Sequence, residues 1–216
     1  MKKDNFENDL KDMLDNQIVK RGISDERLIH AIQAVPRHLF VPDDYKPQAY
    51  NDGPLPIGFG QTISQPYIVA LMVSELHLKG LEHVLEIGTG CGYQAAILSH
   101  LAADVITLEI IPDLAERATQ TLNHLGIKNV SVVTGDGSMG WVNGAPYNAI
   151  LISAATPGVP PPLLEQLAEG GRLILPVGSH GFQRLEIWSY CDSIFRVETS
   201  IPVSFVPLRG KHGWKI

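Results

Sequence analysis

The run Val84-Leu85-Glu86-Ile87-Gly88-Thr89-Gly90-Cys91-Gly92-Tyr93 limits the possible folds more than any other stretch of the chain. A short, almost wholly apolar strand is expected where helices cover both faces of a sheet. Alternate glycines directly after it let the backbone turn sharply and let a ligand approach without a Cβ in the way. A helix then opens at Tyr93. Strand, glycine turn and helix in this order mark a crossover of an open α/β sheet, where ligands bind outside the carboxyl ends of the strands.

The flanking sequence repeats that rhythm. Helices are expected over 67–78, 93–101, 112–125 and 161–168, the last stopped by Gly170 and Gly171. Strands are expected at 83–87, 105–109, 130–133, 149–153 and 172–177. Pro112 stands in the first turn of its helix and Gly126 beyond its end, the usual asymmetry of helix termini. The alternation predicts an α/β fold with a doubly wound, mostly parallel, Rossmann-like sheet. Residues 183–208 are rich in Ile, Val, Phe, Trp and Thr and lack a helical period, so two antiparallel strands with a hairpin near 191–193 fit them. At the front, Phe6, Leu10, Met13, Leu14 and Ile18 recur at helical spacing up to Gly22. Leu28, Ile32 and Val35 form a second stripe between an expected N-cap at Ser24 and a stop at Pro36. Residues 36–66, broken by prolines and glycines, read as irregular. Their many aromatic and aliphatic side chains argue for a packed, specific loop rather than disorder.

The glycine spacing chooses among nucleotide ligands. A dinucleotide fold requires G-x-G-x-x-G, whereas here the spacing is G-x-G-x-G and Tyr93 takes the third position, so nicotinamide and flavin fit poorly. S-adenosylmethionine has no pyrophosphate and fits better. Glu86 offers a carboxylate near its cationic end. Glu109 closes the next strand, where doubly wound folds hydrogen-bond ribose hydroxyls. Gly135-Asp136-Gly137 ends the third strand, with Asp136 set to meet or support the adenine rim. The expected cofactor residues are therefore Glu86, Gly88, Thr89, Gly90, Gly92, Glu109, Asp136 and Gly137. A glycine turn alone can be purely structural and Glu109 alone a solvated strand end; the ordered set points to an adenosine-type ligand.

Composition excludes other partners. With 17 Lys and Arg against 23 Asp and Glu, the net charge is −6, and no dense basic run offers a phosphate-binding face, so nucleic acid is not expected. No apolar run approaches the ~18 residues of a membrane span, and the first ten residues, MKKDNFENDL, lack the apolar stretch of a signal peptide. Cys91 and Cys191 form no disulfide framework, and the 8 histidines show no ligand spacing, so no metal is expected. A soluble, cytoplasmic, monomeric protein is the resulting expectation.

The segment Leu55-Pro56-Ile57-Gly58-Phe59-Gly60-Gln61-Thr62-Ile63-Ser64-Gln65-Pro66-Tyr67 resembles the signature of protein-L-isoaspartate O-methyltransferases. Val35-Pro36-Arg37, Phe40-Val41-Pro42, the glycine loop, Gly135-Asp136-Gly137, Gly170-Gly171-Arg172-Leu173, Leu175-Pro176-Val177-Gly178 and Phe205-Val206-Pro207-Leu208 extend the resemblance over nearly the whole chain. It implies a methyltransferase fold with extra N-terminal helices and an altered strand order near the C-terminus. It also implies an activity: a methyl group moves from S-adenosylmethionine to the free α-carboxylate of L-isoaspartyl (and D-aspartyl) residues in age-damaged proteins and peptides, leaving S-adenosylhomocysteine. The family's active-site serine corresponds to Ser64. Ile57, Gly60, Gln61, Thr62, Ile63 and Ser64 are the expected substrate residues. One domain over 1–216 follows, with N-terminal helices and a substrate loop in 1–66, a cofactor core in 67–182 and C-terminal strands in 183–216.

A carboxylate, with a reference pKa near ~4, is already a nucleophile at neutral pH. No general base is required, and the remaining work is positioning and desolvation. Ser64 also has a bland alternative as the N-cap of the following helix, and Thr62 is a weaker candidate of the same kind. A small carboxylate or hydroxyl compound is the alternative acceptor, and a ligand sensor without turnover the non-enzymatic alternative. Cys91 reads as a space-filling residue and His38, where many family members are acidic, as a surface contact. Trp141, Trp188 and Trp214 read as packing or surface residues, and 211–216 as a mobile tail or lid.

Overall fold

The computed structural model describes residues 6–179 and 181–215. Met1–Asn5, His180 and Ile216 lie outside them, and so do the start of the N-terminal run and the last residue of the expected tail. Three helical stretches open the chain without a break: α1 (Phe6–Asp12), a π segment at Met13–Ile18 and a 3-10 turn at Val19–Arg21. Gly22, at φ +95°, ends them. Helix α2 (Glu26–Ala34) is capped by Asp25, whose carboxylate accepts from the amides of Arg27 and Leu28. The expected cap at Ser24 is therefore one residue early.

Residues 36–66 are more regular than expected. Strands β1 (Leu55–Gly58) and β2 (Gln61–Ile63) pair antiparallel. Their two-residue turn, Phe59-Gly60, has φ of 54° and 70°. Positive φ at both central positions matches the strand twist of tight hairpins. Phe59 is an unusual occupant of that position, and only Gly60 marks the turn in the sequence.

The main sheet has seven strands in the order β5-β4-β3-β6-β7-β8-β9. These are β3 (His83–Ile87), β4 (Asp104–Glu109), β5 (Val130–Thr134), β6 (Tyr147–Ile152), β7 (Leu167–Ser179), β8 (Phe182–Cys191) and β9 (Ile194–Val203). The first five are mutually parallel, and β8 and β9 add antiparallel at one edge. The helices between them are α3 (Pro66–Glu75), α4 (Tyr93–Ser99), α5 (Pro112–His124) and α6 (Pro161–Glu165). The chain leaves β3 toward β4 and β5, then returns to β3's other side as β6. That reversal is the switch point at which an open α/β sheet leaves a crevice at its strand ends.

Alternate strand residues feed two cores. Val84, Val105, Ala149, Leu151 and Ile174 pack with Leu28, Ile32, Val69, Ile97 and Leu122 on one face. Leu85, Ile87, Leu108, Ile150, Ile152 and Leu173 pack with Leu163 and Leu208 on the other.

The helix expected over 161–168 stops at Glu165, and β7 runs straight through the two glycines expected to end it. A Cβ on Gly171 would sit 2.7 Å from the Ala168 carbonyl oxygen and 3.0 Å from that of Asn148. Gly171 thus serves close backbone approach inside a strand, while Gly170 holds a positive φ of +78°. The hairpin at 191–193 is present: Asp192 and Ser193 have φ of 55° and 62°, and Cys191 pairs with Ile194. His38 is no loose surface contact. It stacks on Phe6 with ring centroids 3.9 Å apart and its Nδ1 shares a hydrogen bond with the Tyr50 hydroxyl at 2.8 Å. Among the described residues no helix is long and apolar enough to cross a membrane.

Candidate active site

At the switch point the loop after β3 is pinned to β4. The amides of Gly88 and Thr89 both donate to the Leu108 carbonyl, at 2.9 and 3.2 Å. The Gly90 amide donates to Glu109 Oε2 at 2.8 Å, and the Ile111 amide to Glu109 Oε1 at 3.0 Å. Gly88 and Gly90 hold φ of +89° and +54°, so glycine is required there and the main chain faces the space above it. A cleft opens above this loop. Its walls include Gly88, Thr89 and Gly90, Glu109 to Ile111, Gly137, Ser153 and Ala154 after β6, Gln61 to Ser64 from the hairpin, and Val206 to Arg209.

Nine of the expected site residues meet in these walls: Gly88, Thr89, Gly90, Glu109, Gly137, Gln61, Thr62, Ile63 and Ser64. Five others do not, and each has a physical reason. Gly92 caps α4 where a Cβ would come 3.2 Å from the Ala118 Cβ, so it permits helix–helix contact. Ile57 is fully buried beneath the hairpin, and its carbonyl accepts from Arg117 Nη1 at 3.1 Å. Gly60 belongs to the hairpin turn. Asp136 accepts from the Ser138 amide and hydroxyl at 2.9 and 2.7 Å and from the Lys211 amide at 2.8 Å. It therefore moors the chain end rather than bordering the cleft.

Glu86 is the fifth. It is 0% exposed and lies inside the sheet under α4. Gln94 Nε2 donates to Oε1 at 2.9 Å and Thr107 Oγ1 to Oε2 at 2.6 Å. Gln94 also reaches Ser153 Oγ at 2.8 Å, and Thr107 Oγ1 lies 2.7 Å from Thr89 Oγ1. Glu86 thus touches the cleft only through Gln94 and Thr89. Burial pushes its carboxyl up to about 7, with the Thr107 and Gln94 hydrogen bonds pulling the other way.

That raised value has a measurable effect on stability. The unfolded chain ionises Glu86 in the ordinary carboxylate range and the folded chain only near 7. Between these the folded state holds the extra proton, so stability falls as the pH rises across that window. Each tenfold difference in proton affinity between the two states is worth ~1.4 kcal/mol, which makes the whole decline about 3 kcal/mol. Glu86→Gln should remove it, gaining on the wild type between pH 5 and pH 8 in denaturant melts. A stability difference that stays constant over that range would show that the proton is held elsewhere.

Two groups of wall residues carry no sign of this role in the sequence. Ser153 and Ala154 belong to no motif. Val206 to Leu208 lie in a segment that resembles the family but has no role attached to it. The Ala155 amide donates to the Val206 carbonyl and the Leu208 amide to the Ala155 carbonyl, both at 2.8 Å. Trp214 Nε1 donates to the Ala155 carbonyl at 3.1 Å, and the His212 amide to Ser138 Oγ at 3.0 Å. Residues 205–214 are therefore docked over the cleft and are no loose tail.

A second cavity of about 410 Å³ lies beside the first, between the hairpin, α3 and the segment 202–206. Thr62, Ser64, Ser153 and Val206 border both. The N-cap of α3 is Gln65, which makes no side-chain capping bond, so Ser64 does not cap the helix. Among the described residues its hydroxyl has no hydrogen-bond partner, while its carbonyl accepts from Arg37 Nη2 at 2.6 Å.

A parallel sheet reversing at β3, a glycine turn without dinucleotide spacing and an acid at the end of the next strand define an S-adenosylmethionine-dependent methyltransferase. The donor set fits that cofactor: half-buried main chain at Gly88 and Gly90 and the Glu109 carboxylate at the end of the next strand border one cleft. A family model described as protein-L-isoaspartate(D-aspartate) O-methyltransferase matches residues 8–213, and the chain belongs to that family. The protein-L-isoaspartate O-methyltransferase 1 of Syntrophobacter fumaroxidans is 52% identical over 98% of this chain and 99% of its own. The protein-L-isoaspartate O-methyltransferase of Methanoculleus marisnigri is 49% identical over 100% and 98%. A solved protein-L-isoaspartate O-methyltransferase superposes with a TM-score of 0.83 at 29% identity, covering 96% of this chain and 67% of that one. A Plasmodium falciparum structure described as a putative member, in complex with S-adenosyl-L-homocysteine, shares the fold with a TM-score of 0.81 at 23% identity, covering 96% of this chain and 99% of that one.

Proposed function

We propose that the protein repairs damaged polypeptides by methylating the free α-carboxylate of L-isoaspartyl and D-aspartyl residues, with Ser64 at the reacting centre. The observation that carries the site assignment is the position of Ser64, whose residue borders both the cofactor cleft and the second cavity. When bound, S-adenosylmethionine supplies an electrophilic methyl on a sulfonium. Gly88, Thr89, Gly90, Glu109 and Gly137 are the residues to hold it. The second cavity takes the altered peptide segment, and the Ser64 hydroxyl donates a hydrogen bond that orients the acceptor carboxylate. Thr62 and Gln61 border the same passage. The reaction demands no proton removal, which agrees with a boundary made of hydroxyls and main chain rather than of His and Asp. The whole chain acts as one catalytic domain, working in the cytoplasm as a monomer without metal or nucleic acid.

Paired peptides differing only in an aspartyl or isoaspartyl linkage, incubated with labelled S-adenosylmethionine, test the reading. Label should enter the isoaspartyl peptide alone. Equal labelling of both, or of neither, would overturn it.

A further inference from the structure

Arg37 is 0% exposed, the largest fully buried side chain among the described residues. It sits in a 3-10 turn at Arg37–Phe40, behind the hairpin. Its Nε donates to the Ala49 carbonyl at 2.7 Å and its Nη2 to the Ser64 carbonyl at 2.6 Å. The Tyr93 ring lies against it, with Cζ 4.8 Å from the centroid. Nη1 makes no well-formed hydrogen bond. Among the described residues no carboxylate pairs with it. The groups that act on its charge are burial itself, then Tyr93, Cys91 and Tyr50. A buried guanidinium is ordinarily paired, because removing a charge from water is costly. An arginine needed only to bridge two carbonyls could be replaced by neutral donors, so the unmatched charge calls for an explanation.

The second cavity shows the complementary imbalance. Its lining, Pro54, Thr62, Ser64, Gln65, Ile68, Ser153 and the segment 202–206, contains no charged side chain. An anionic acceptor entering it loses water and meets no cation in the wall. The cation stands behind the wall, bonded to the carbonyl of Ser64, the residue that borders both cavities.

We infer that Arg37 is a positioning residue for the acceptor carboxylate, fixing Ser64 through its main chain and supplying the counter-charge from beneath the wall. The inference rests on the proposed role of Ser64. A carboxylate bonded to that hydroxyl lies within about 9 Å of the guanidinium, by bond lengths and ordinary hydrogen-bond distances. At an effective dielectric of ~20, one charge at that range favours an anion over a neutral isostere by roughly 20-fold. The net charge of −6 works against such an acceptor at long range, so a local buried cation is the means of recognition.

The test compares two peptides on the enzyme loaded with S-adenosylhomocysteine, by calorimetry. One carries the isoaspartyl α-carboxylate and the other the α-carboxamide at the same atom. The wild type should prefer the acid. Arg37→Met should lower the acid-to-amide preference by roughly 20-fold, while Arg37→Lys, which keeps the charge, should retain most of it and lose turnover through slackened Ser64. S-adenosylhomocysteine affinity should be unchanged in both. If Arg37→Met does not melt cooperatively, Arg37→Gln carries the same comparison with a hydrogen-bond donor retained. Equal weakening of acid and amide, with the preference intact, would mean that Arg37 only holds the fold and would overturn the inference. A wild type that labels no isoaspartyl peptide would instead remove the proposed function, and this inference with it.

Discussion

Gly90→Val should abolish S-adenosylhomocysteine binding in calorimetry while leaving a folded protein by circular dichroism. Gly90 is at φ +54°, a region that β-branched residues avoid. Holding valine there costs about 1–3 kcal/mol. A Cβ would also stand 3.2 Å from Ile57 Cδ1, beneath the hairpin, so relief would move β1 or the loop itself. The Gly90 amide holds Glu109, and loosening that bond displaces the acid that borders the cleft as well. Three elements of the donor site therefore fail together. Retention of wild-type affinity would mean that the glycine loop turns the chain without receiving a ligand.

Ser64→Ala should separate binding from catalysis. The hydroxyl has no protein partner among the described residues, so its removal leaves no buried group unsatisfied and the melting temperature should barely move. A single preorganised donor to a reacting oxygen is worth about 100-fold or more in kcat. Turnover on an isoaspartyl peptide should fall by that order, with the affinity for S-adenosylhomocysteine unchanged. Full activity in the variant would confine Ser64 to the wall of the passage.

These two positions differ in how they can be read. The strand, the three alternate glycines and the acids near the ends of successive strands lie in local sequence, so the crossover at β3 and the place of Glu109 are legible from it. Glu86 is not. β3 is a central strand whose pleat puts this carboxylate under α4, beside Gln94, and parallel register with β4 sets Thr107 next to it. Asp136 is hidden for a similar reason: its partner amide at Lys211 is 75 residues away in sequence. The end of α6 is misjudged because a glycine pair that stops a helix looks the same as one that bends β7 at Gly170 and lets it approach the β6 backbone at Gly171. The Ser64 cap is excluded by one residue of register, since Gln65 takes the N-cap position. The family resemblance supplies the serine's role; local chemistry alone offers a cap.

Parallel pairing across β5-β4-β3 has a consequence for how length can vary in this chain. The acids and hydroxyls that serve the cleft stand on neighbouring strands about 4.8 Å apart, although some twenty residues of helix and loop separate them in sequence. Residues added to the exposed turn after α5 would lengthen only a surface connection and leave this row untouched. One residue added to β4 before Thr107 would turn Thr107 and Glu109, which share a face, to the other face of the sheet, separating Glu86 from its hydroxyl and Gly90 from its carboxylate in a single step. The crossovers can drift in length, while the count of residues along β3 and β4 is fixed by the bonds of Glu86 to Thr107 and of Gly90 to Glu109.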